Sequence, residues 1–257
     1  MLLVRSLVFT AFMLVSVVIF AIGVLLAAPL PVRWRDTIPP AWSRLTLAAL
    51  KLICRLDYRL EGAENIPAEA AVAFWKHQSM WETLAQMLVF PRQCWVLKRE
   101  LMAIPIVGWA LRLYHPIAID RGSGRRAVEQ VIDQGLERLR AGYWVMIFPE
   151  GTRMPPGTTR RYGVSGILLA ERAGKPIVPV AHNAGDYWRR NGWLKRPGTI
   201  VVRVGQPVAT GGRAVQAVSA QIQGWIEAQM REISPGYAGI SLDAGHPRAE
   251  SSGTTGS

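Results

Sequence analysis

Tyr143-Trp144-Val145-Met146-Ile147-Phe148-Pro149-Glu150-Gly151-Thr152-Arg153 reads as a buried strand running into a polar turn. Its first six residues are apolar or aromatic without the alternation of a half-exposed strand, so both faces of the strand must be covered. The turn then offers a carboxylate, a flexible backbone, a hydroxyl and a guanidinium in four consecutive residues. Such a turn suits a polyol phosphate: arginine grips phosphate as a fork and glutamate accepts from a hydroxyl. It also suits an ordinary surface turn with an Arg–Glu ion pair, so position has to separate the two.

The same strand pattern recurs on either side. Residues 71–75, 94–97, 116–119, 177–181 and 199–204 form short apolar runs that read as further strands. Between them Val128, Val131, Ile132, Gly135, Leu136 and Leu139 repeat at helical spacing and predict an amphipathic helix over 123–141. Helices are also predicted over 164–173 and 215–233, the latter burying Val218, Ile222, Trp225 and Met230. Strands alternating with helices indicate an α/β fold, a mostly parallel or mixed sheet flanked by helices, over residues 60–233. Residues 234–257, rich in Gly, Ser and Thr, lack periodicity and read as a disordered tail.

The 257 residues are 50% apolar and only 19% charged, which excludes a disordered chain, a coiled coil and a collagen-like fibre. Cys54 and Cys94 have no companions at ligand spacing, so neither a disulfide scaffold nor a cysteine metal site is expected. A net charge of +12 points to anionic partners: nucleic acid, anionic lipid or a phosphorylated substrate.

The N-terminus narrows that choice. No charged residue lies between Arg5 and Arg33, and 7–30 is mostly Leu, Val, Ile, Phe and Ala. At about 1.5 Å per residue, a helix over this stretch covers the ~30 Å hydrocarbon layer. The run is longer than a signal-peptide core and has little positive charge before it, which favours a retained membrane helix. Arg33, Arg35, Arg44, Lys51, Arg55 and Arg59 follow it, so the positive-inside bias puts the bulk of the chain in the cytoplasm, at the inner face of the cytoplasmic membrane. Residues 42–60 form a basic amphipathic stretch that suits the membrane interface or the first core helix. Residues 1–59 thus read as a membrane-anchoring segment, spanning or dipping into one leaflet as a hairpin.

The chemistry-bearing residues cluster at strand ends. Trp75-Lys76-His77-Gln78-Ser79-Met80-Trp81-Glu82 follows the first strand of the domain. His77 has the character of a general base and Glu82 of the carboxylate that steadies its imidazolium. Ser79 and Glu82 also have the spacing of a capping box, in which Glu82 accepts from the Ser79 N–H. Lys98 and Arg99 follow the 94–97 strand, and Asp120-Arg121 follows 116–119. In open α/β sheets ligands bind beyond the carboxyl ends of strands, and parallel strands bring His77 and Glu150 to one edge. Arg160-Arg161 and Arg189-Arg190 read as contacts to headgroups or water, and His182 as a residue that could line the pocket. Gly122-x-Gly124 is too short for a nucleotide fingerprint, there is neither a P-loop nor an HExxH, and the remaining histidines form no ligand cluster.

Taken in order, these segments resemble the four motif blocks of the glycerolipid acyltransferases, in particular the bacterial 1-acyl-sn-glycerol-3-phosphate acyltransferases. His77-Gln78-Ser79 with Glu82 is similar to the first block, H-x4-D. Lys98-x-Glu100-Leu101, Pro105, Gly108-Trp109 and Ile119-Asp120-Arg121 resemble the second. Residues 148–153 are nearly the third, and Ile177-Val178-Pro179-Val180 matches the fourth. The resemblance implies acyl transfer from acyl-CoA or acyl-carrier protein to the sn-2 hydroxyl of lysophosphatidate at a membrane, with no cofactor and no metal. It implies His77 and Glu82 as the catalytic pair. Glu150 and Gly151 would position the glycerol, Thr152 would take part in substrate binding, and Arg153, with Lys98 and Arg121, would hold the phosphate. Two positions depart from the pattern: Glu82 stands where Asp is usual and Lys76 where Asn is usual. Another lysophospholipid, glycerol 3-phosphate or a lyso-aminolipid is the nearest alternative acceptor. A non-catalytic lipid-binding protein accounts for the apolar helix and the charge but not for four ordered blocks. A nucleic-acid partner is not expected, because no basic helix or stacking motif is present.

Overall fold

A computed structural model describes residues 1–238. The chain opens with α1 (Leu2–Leu26), α2 (Val32–Arg35) and α3 (Ile38–Cys54), then β1 (Leu56–Glu61) and β2 (Val72–Trp75). It continues through α4 (Trp81–Val89), β3 (Gln93–Lys98), α5 (Val107–Arg112), β4 (Ile117–Ile119) and α6 (Arg125–Arg140). The remainder is β5 (Trp144–Ile147), α7 (Ser165–Ala173), β6 (Ile177–His182), α8 (Ala184–Tyr187), β7 (Gly198–Val204) and α9 (Val215–Ile233).

The strands form one seven-stranded sheet in the order β1-β7-β6-β2-β5-β3-β4. The five from β6 to β4 run parallel; β7 joins β6 antiparallel and carries β1 parallel to itself. The sheet is therefore mixed. All four residues of β2 and of β5 are buried, as their unbroken apolar runs require. One face is covered by α6, α7 and α9, through Val131, Ile132, Leu169, Ile222 and Met230 among others. The other face packs against α1, α3 and α4, through Phe9, Leu47, Leu50, Trp81 and Leu84.

Three expectations change. The amphipathic stretch read over 42–60 is two elements: α3 stops at Cys54, Arg55 takes a left-handed conformation (φ 55°), and β1 follows. Leu56-Asp57-Tyr58-Arg59-Leu60-Glu61 alternates because β1 is an edge strand with one neighbour, β7, and alternation mixed with charges imitates an amphipathic helix. The domain boundary expected between 59 and 60 thus falls inside β1. Residues 234–238, expected to belong to a disordered tail, are packed on the domain. Ser234 donates to Asp186 Oδ2 at 2.7 Å, and the buried Tyr237 donates from its hydroxyl to the Thr158 carbonyl at 3.1 Å. Residues 239–257 lie outside the described residues.

The helix expected over 7–30 is α1, and it is laid along the domain. Its buried residues, Ser6, Phe9, Met13, Ser16, Ala21 and Val24, run nearly its whole length. Ser6 Oγ accepts the Lys195 N–H at 2.9 Å, Ser16 Oγ accepts Trp42 Nε1–H at 3.1 Å, and Ala21 and Val24 pack on Ala110. The opposite face exposes Leu3, Val4, Leu7, Leu14, Val15, Val18, Ile19 and Ile22.

Candidate active site

The register Phe74↔Ile147 sets the ends of β2 and β5 side by side, so their turns leave the same sheet edge together. Phe148 stacks on the His77 ring, with centroids 3.9 Å apart and planes 15° from parallel. The Met154 N–H donates to the His77 carbonyl at 2.7 Å. Gly151 turns this chain with φ +68°, a conformation in which a side chain is strained.

His77 Nδ1 lies 2.9 Å from Glu82 Oε1. The same oxygen accepts the Gln78 N–H at 2.9 Å and the Ser79 N–H at 2.8 Å, and Oε2 accepts the Ser79 N–H at 3.0 Å. The capping contact and the His77–Glu82 contact, competing readings in sequence, coexist: a single carboxylate makes both. The cap is only half of the usual box, since Ser79 Oγ accepts from Trp81 N–H at 3.1 Å.

Glu82 is fully buried. Burial pushes its carboxyl up, but His182, His77 and the Ser79 N–H outweigh burial and hold it below the ordinary carboxylate value. The Nδ1 contact to the Glu82 carboxylate suits Nδ1–H as donor, the tautomer in which Nε2 carries the lone pair. His182 sits behind, its Nε2 4.0 Å from Glu82 Oε2. It donates from Nε2 to the Lys76 carbonyl at 2.7 Å and accepts the Ala184 N–H at Nδ1. Burial pushes its pKa down, and an Nδ1 that accepts from a peptide N–H requires the neutral ring.

A groove of about 560 Å³ opens in front of His77. Its lining combines apolar side chains, Met80, Met87, Trp95, Leu101, Val107 and Leu111, with three cationic ones, Lys98, Arg153 and Arg190. Gly108 backs the apolar lining: a Cβ there would come within 2.7 Å of the Leu101 carbonyl and the Met102 backbone.

Among the site residues expected from sequence, His77, Lys98, Thr152 and Arg153 line this groove. Glu150 does not. Its side chain is fully buried, Oε1 accepting Lys76 Nζ–H at 2.7 Å and the Thr159 hydroxyl at 3.2 Å, Oε2 accepting the His77 N–H at 3.0 Å. Both oxygens are committed inside the protein, and Glu150 is absent from the groove lining, where the sequence reading expected it to meet the acceptor glycerol. Gly151 supplies the turn behind the groove wall. Arg121 opens a 3-10 turn after β4, on the same sheet edge as Lys98; its side chain lies outside the described residues.

Sequence reading missed the use of Arg190, whose guanidinium donates to the Arg153 carbonyl at 3.1 Å and joins the groove wall. It missed Glu227 as well, although an acid beside the apolar stripe of α9 was a visible signal.

The comparisons with known proteins can be set against this geometry. The Acyltransferase family model matches residues 57–183. A 1-acyl-sn-glycerol-3-phosphate acyltransferase of Pseudomonas aeruginosa is 41% identical over 222 residues, covering 85% of this chain and 84% of that protein. The chain belongs to the 1-acyl-sn-glycerol-3-phosphate acyltransferase family. The alpha form from Mus musculus is 30% identical over 218 residues, covering 82% of this chain and 76% of its own. The crystal structure of the 1-acyl-sn-glycerophosphate acyltransferase from Thermotoga maritima superposes with a TM-score of 0.75 at 22% identity, covering 90% of this chain and 95% of that one. That likeness shows the shared fold. Within the family's pattern, Glu82 replaces aspartate without losing the short contact to His77.

Proposed function

We propose that the chain transfers an acyl group from the thioester of acyl-CoA or acyl-carrier protein to the sn-2 hydroxyl of 1-acyl-sn-glycerol 3-phosphate, giving phosphatidate. The observation that carries this is the His77–Glu82 pair, 2.9 Å apart, with His77 lining a groove that holds both apolar and cationic side chains. His77 Nε2 takes the proton of the acceptor hydroxyl as the oxygen attacks the thioester carbonyl. Glu82 stabilises the imidazolium, which then protonates the departing thiolate. The acceptor is the nucleophile, so no acyl-enzyme forms. Arg153 and Lys98 hold the phosphate, with Arg190 in the same groove and Arg121 on the same edge, while acyl chain lies against Met87, Trp95 and Leu111. Two or more cations around one anion favour a phosphate-bearing acceptor over an uncharged or amine-bearing one.

The catalytic face works at the cytoplasmic leaflet, where the thioester donors are and where the basic residues after α1 point. Domain residues grip α1 near both of its ends, at Ser6 and at Val24. A 25-residue helix is about 37 Å long; held so, it dips with the domain into one leaflet instead of crossing to the far side.

The test is thiol release by the full chain in detergent with acyl-CoA, with and without lysophosphatidate, the lipid products being resolved, beside H77A. Acceptor-dependent thiol release yielding phosphatidate and lost in H77A is expected. Activity only with another lysolipid reassigns the acceptor, and thiol release unchanged in H77A removes His77 as base.

A further inference from the structure

The acyl-transfer reading uses His77 and Glu82 and leaves one fully buried charge without a task. Lys76, directly before His77, has an acceptor for each hydrogen of its ammonium: Glu150 Oε1 at 2.7 Å, Glu227 Oε1 at 2.7 Å and the Thr158 carbonyl at 3.1 Å. The two carboxylates arrive from different parts of the fold, Glu150 from the turn after β5 and Glu227 from α9. The Lys76 main chain is fixed too, its N–H donating to the Val180 carbonyl at 3.0 Å and its carbonyl accepting from His182.

Burying an ammonium between two carboxylates is costly, and apolar residues of the same volume often serve stability as well or better. Stability is therefore a poor reason for this triad. A better one lies at the other oxygen of Glu150, which accepts the His77 N–H at 3.0 Å. The carboxylate that Lys76 grips is the one that fixes the peptide of the base. Glu82 pins the next two peptides through Gln78 and Ser79. The histidine is thus clamped from both sides, and the Glu150 side depends on Lys76. An asparagine at 76 ends two bonds short of Nζ and leaves Glu150 and Glu227 facing each other with no cation between them, so like-charge repulsion then works against the Glu150–His77 contact.

Resting on the reading of His77 as base, we propose that Lys76 is a positioning residue: by bridging Glu150 to Glu227 it holds Glu150 on the His77 N–H and makes α9 part of the support of the base. The support extends further along that helix, where Gln223 donates to Thr159 Oγ1 at 3.2 Å and Thr159 in turn donates to Glu150.

The experiment compares wild type, K76N, E227Q and K76N/E227Q as full chains in detergent. It reads steady-state kinetics with acyl-CoA and lysophosphatidate, together with the His77 Nδ1–H proton resonance in 15N-histidine-labelled protein, assigned by its loss in H77A. Charge-assisted contacts of this kind set the expected fall in kcat for K76N at about 10–100-fold, with both KM values unchanged and the resonance displaced. The double variant is expected to recover kcat relative to K76N, because removing the second carboxylate charge relieves the repulsion. A purely structural role lowers the folded fraction and leaves the resonance of the remaining protein where it was. That result, a wild-type kcat in K76N, or a double variant no better than the single one overturns the proposal. If K76N does not accumulate, E227Q decides: a smaller fall in kcat with a displaced resonance supports the bridge, and wild-type values for both overturn it. Should the wild type acylate no acceptor, the acyl-transfer reading fails, while the resonance still reports whether Lys76 holds His77.

Discussion

The His77 loop and the cationic side chains of the groove lie on the same sheet edge and are built in opposite ways. Around His77 the side chains of Lys76, Glu82, Glu150 and His182 are all bonded inside the protein. In the same groove, among the described residues, the Lys98 ammonium and the Arg153 guanidinium have no hydrogen-bond or ion-pair partner. A base must hold one geometry to sub-ångström tolerance, whereas an anion site needs charge that can settle around a mobile headgroup. The difference teaches that rigid and permissive halves of a site leave separable marks: kcat on one side, KM for the acceptor on the other.

Substitutions on either side of the site test that separation first. The largest effect is expected from H77A, since general-base catalysis contributes about 10²–10⁴-fold; kcat should fall by that range while circular dichroism stays native. E82Q comes next. A hydrogen bond to a charged partner is worth about 1.5–3 kcal/mol, so kcat should drop about 10–100-fold, while a glutamine that still accepts the Ser79 N–H keeps helix α4 and the thermal midpoint nearly intact. Full activity in E82Q would leave Glu82 as a cap alone. Among the groove cations, R153A should raise KM for lysophosphatidate about 10-fold with kcat little changed, K98A acting in the same direction more weakly; a kcat effect equal to the KM effect erases the comparison.

A smaller effect concerns pH. Burial holds the pKa of His182 down in the folded protein, while the unfolded chain regains the ordinary value near ~6.5. Unfolding therefore takes up a proton below that pH, and stability contributed by the neutral ring is lost as pH falls from about 6.5 toward the folded value. Thermal midpoints measured from pH 7.5 to 5.5 should decline, and H182Q should flatten the decline. The smallest effect is on thiol chemistry. Cys54 and Cys94 are both buried, and burial pushes the Cys94 thiol up to about 12. Native protein should react negligibly with an aromatic disulfide reagent on the time scale of the assay, and both thiols should appear in denaturant.

Most of the sheet was legible because β2, β5 and β6 are buried on both faces and their runs of Val, Ile, Phe and Trp have no other home. The edge strand β1 was not, since Asp57, Arg59 and Glu61 face solvent or other charges and the alternation borrows the look of a helix. In the site, the groove-facing residues could be read from their place after strands. The burial of Glu150 against Lys76 could not be read, because a glutamate in a turn looks the same in sequence whether it faces a ligand or a lysine. Arg190 and Glu227 come from segments far along the chain, and their use depends on tertiary packing that spacing does not encode.

The grip on α1 has a consequence for synthesis. Its Ser6 and Thr10 hydroxyls meet Lys195, partners 189 and 185 residues apart in the chain. At about 5–20 residues per second, the first helix leaves the ribosome roughly 10–40 s before the lysine that closes on it has been made. Throughout that interval the face of the helix that later packs on the domain is uncovered, its Ser6 and Thr10 hydroxyls bonded only to carbonyls one turn back. The order of assembly is thus written into the chain: the helix is made first and waits for the segment around Lys195 to close on it.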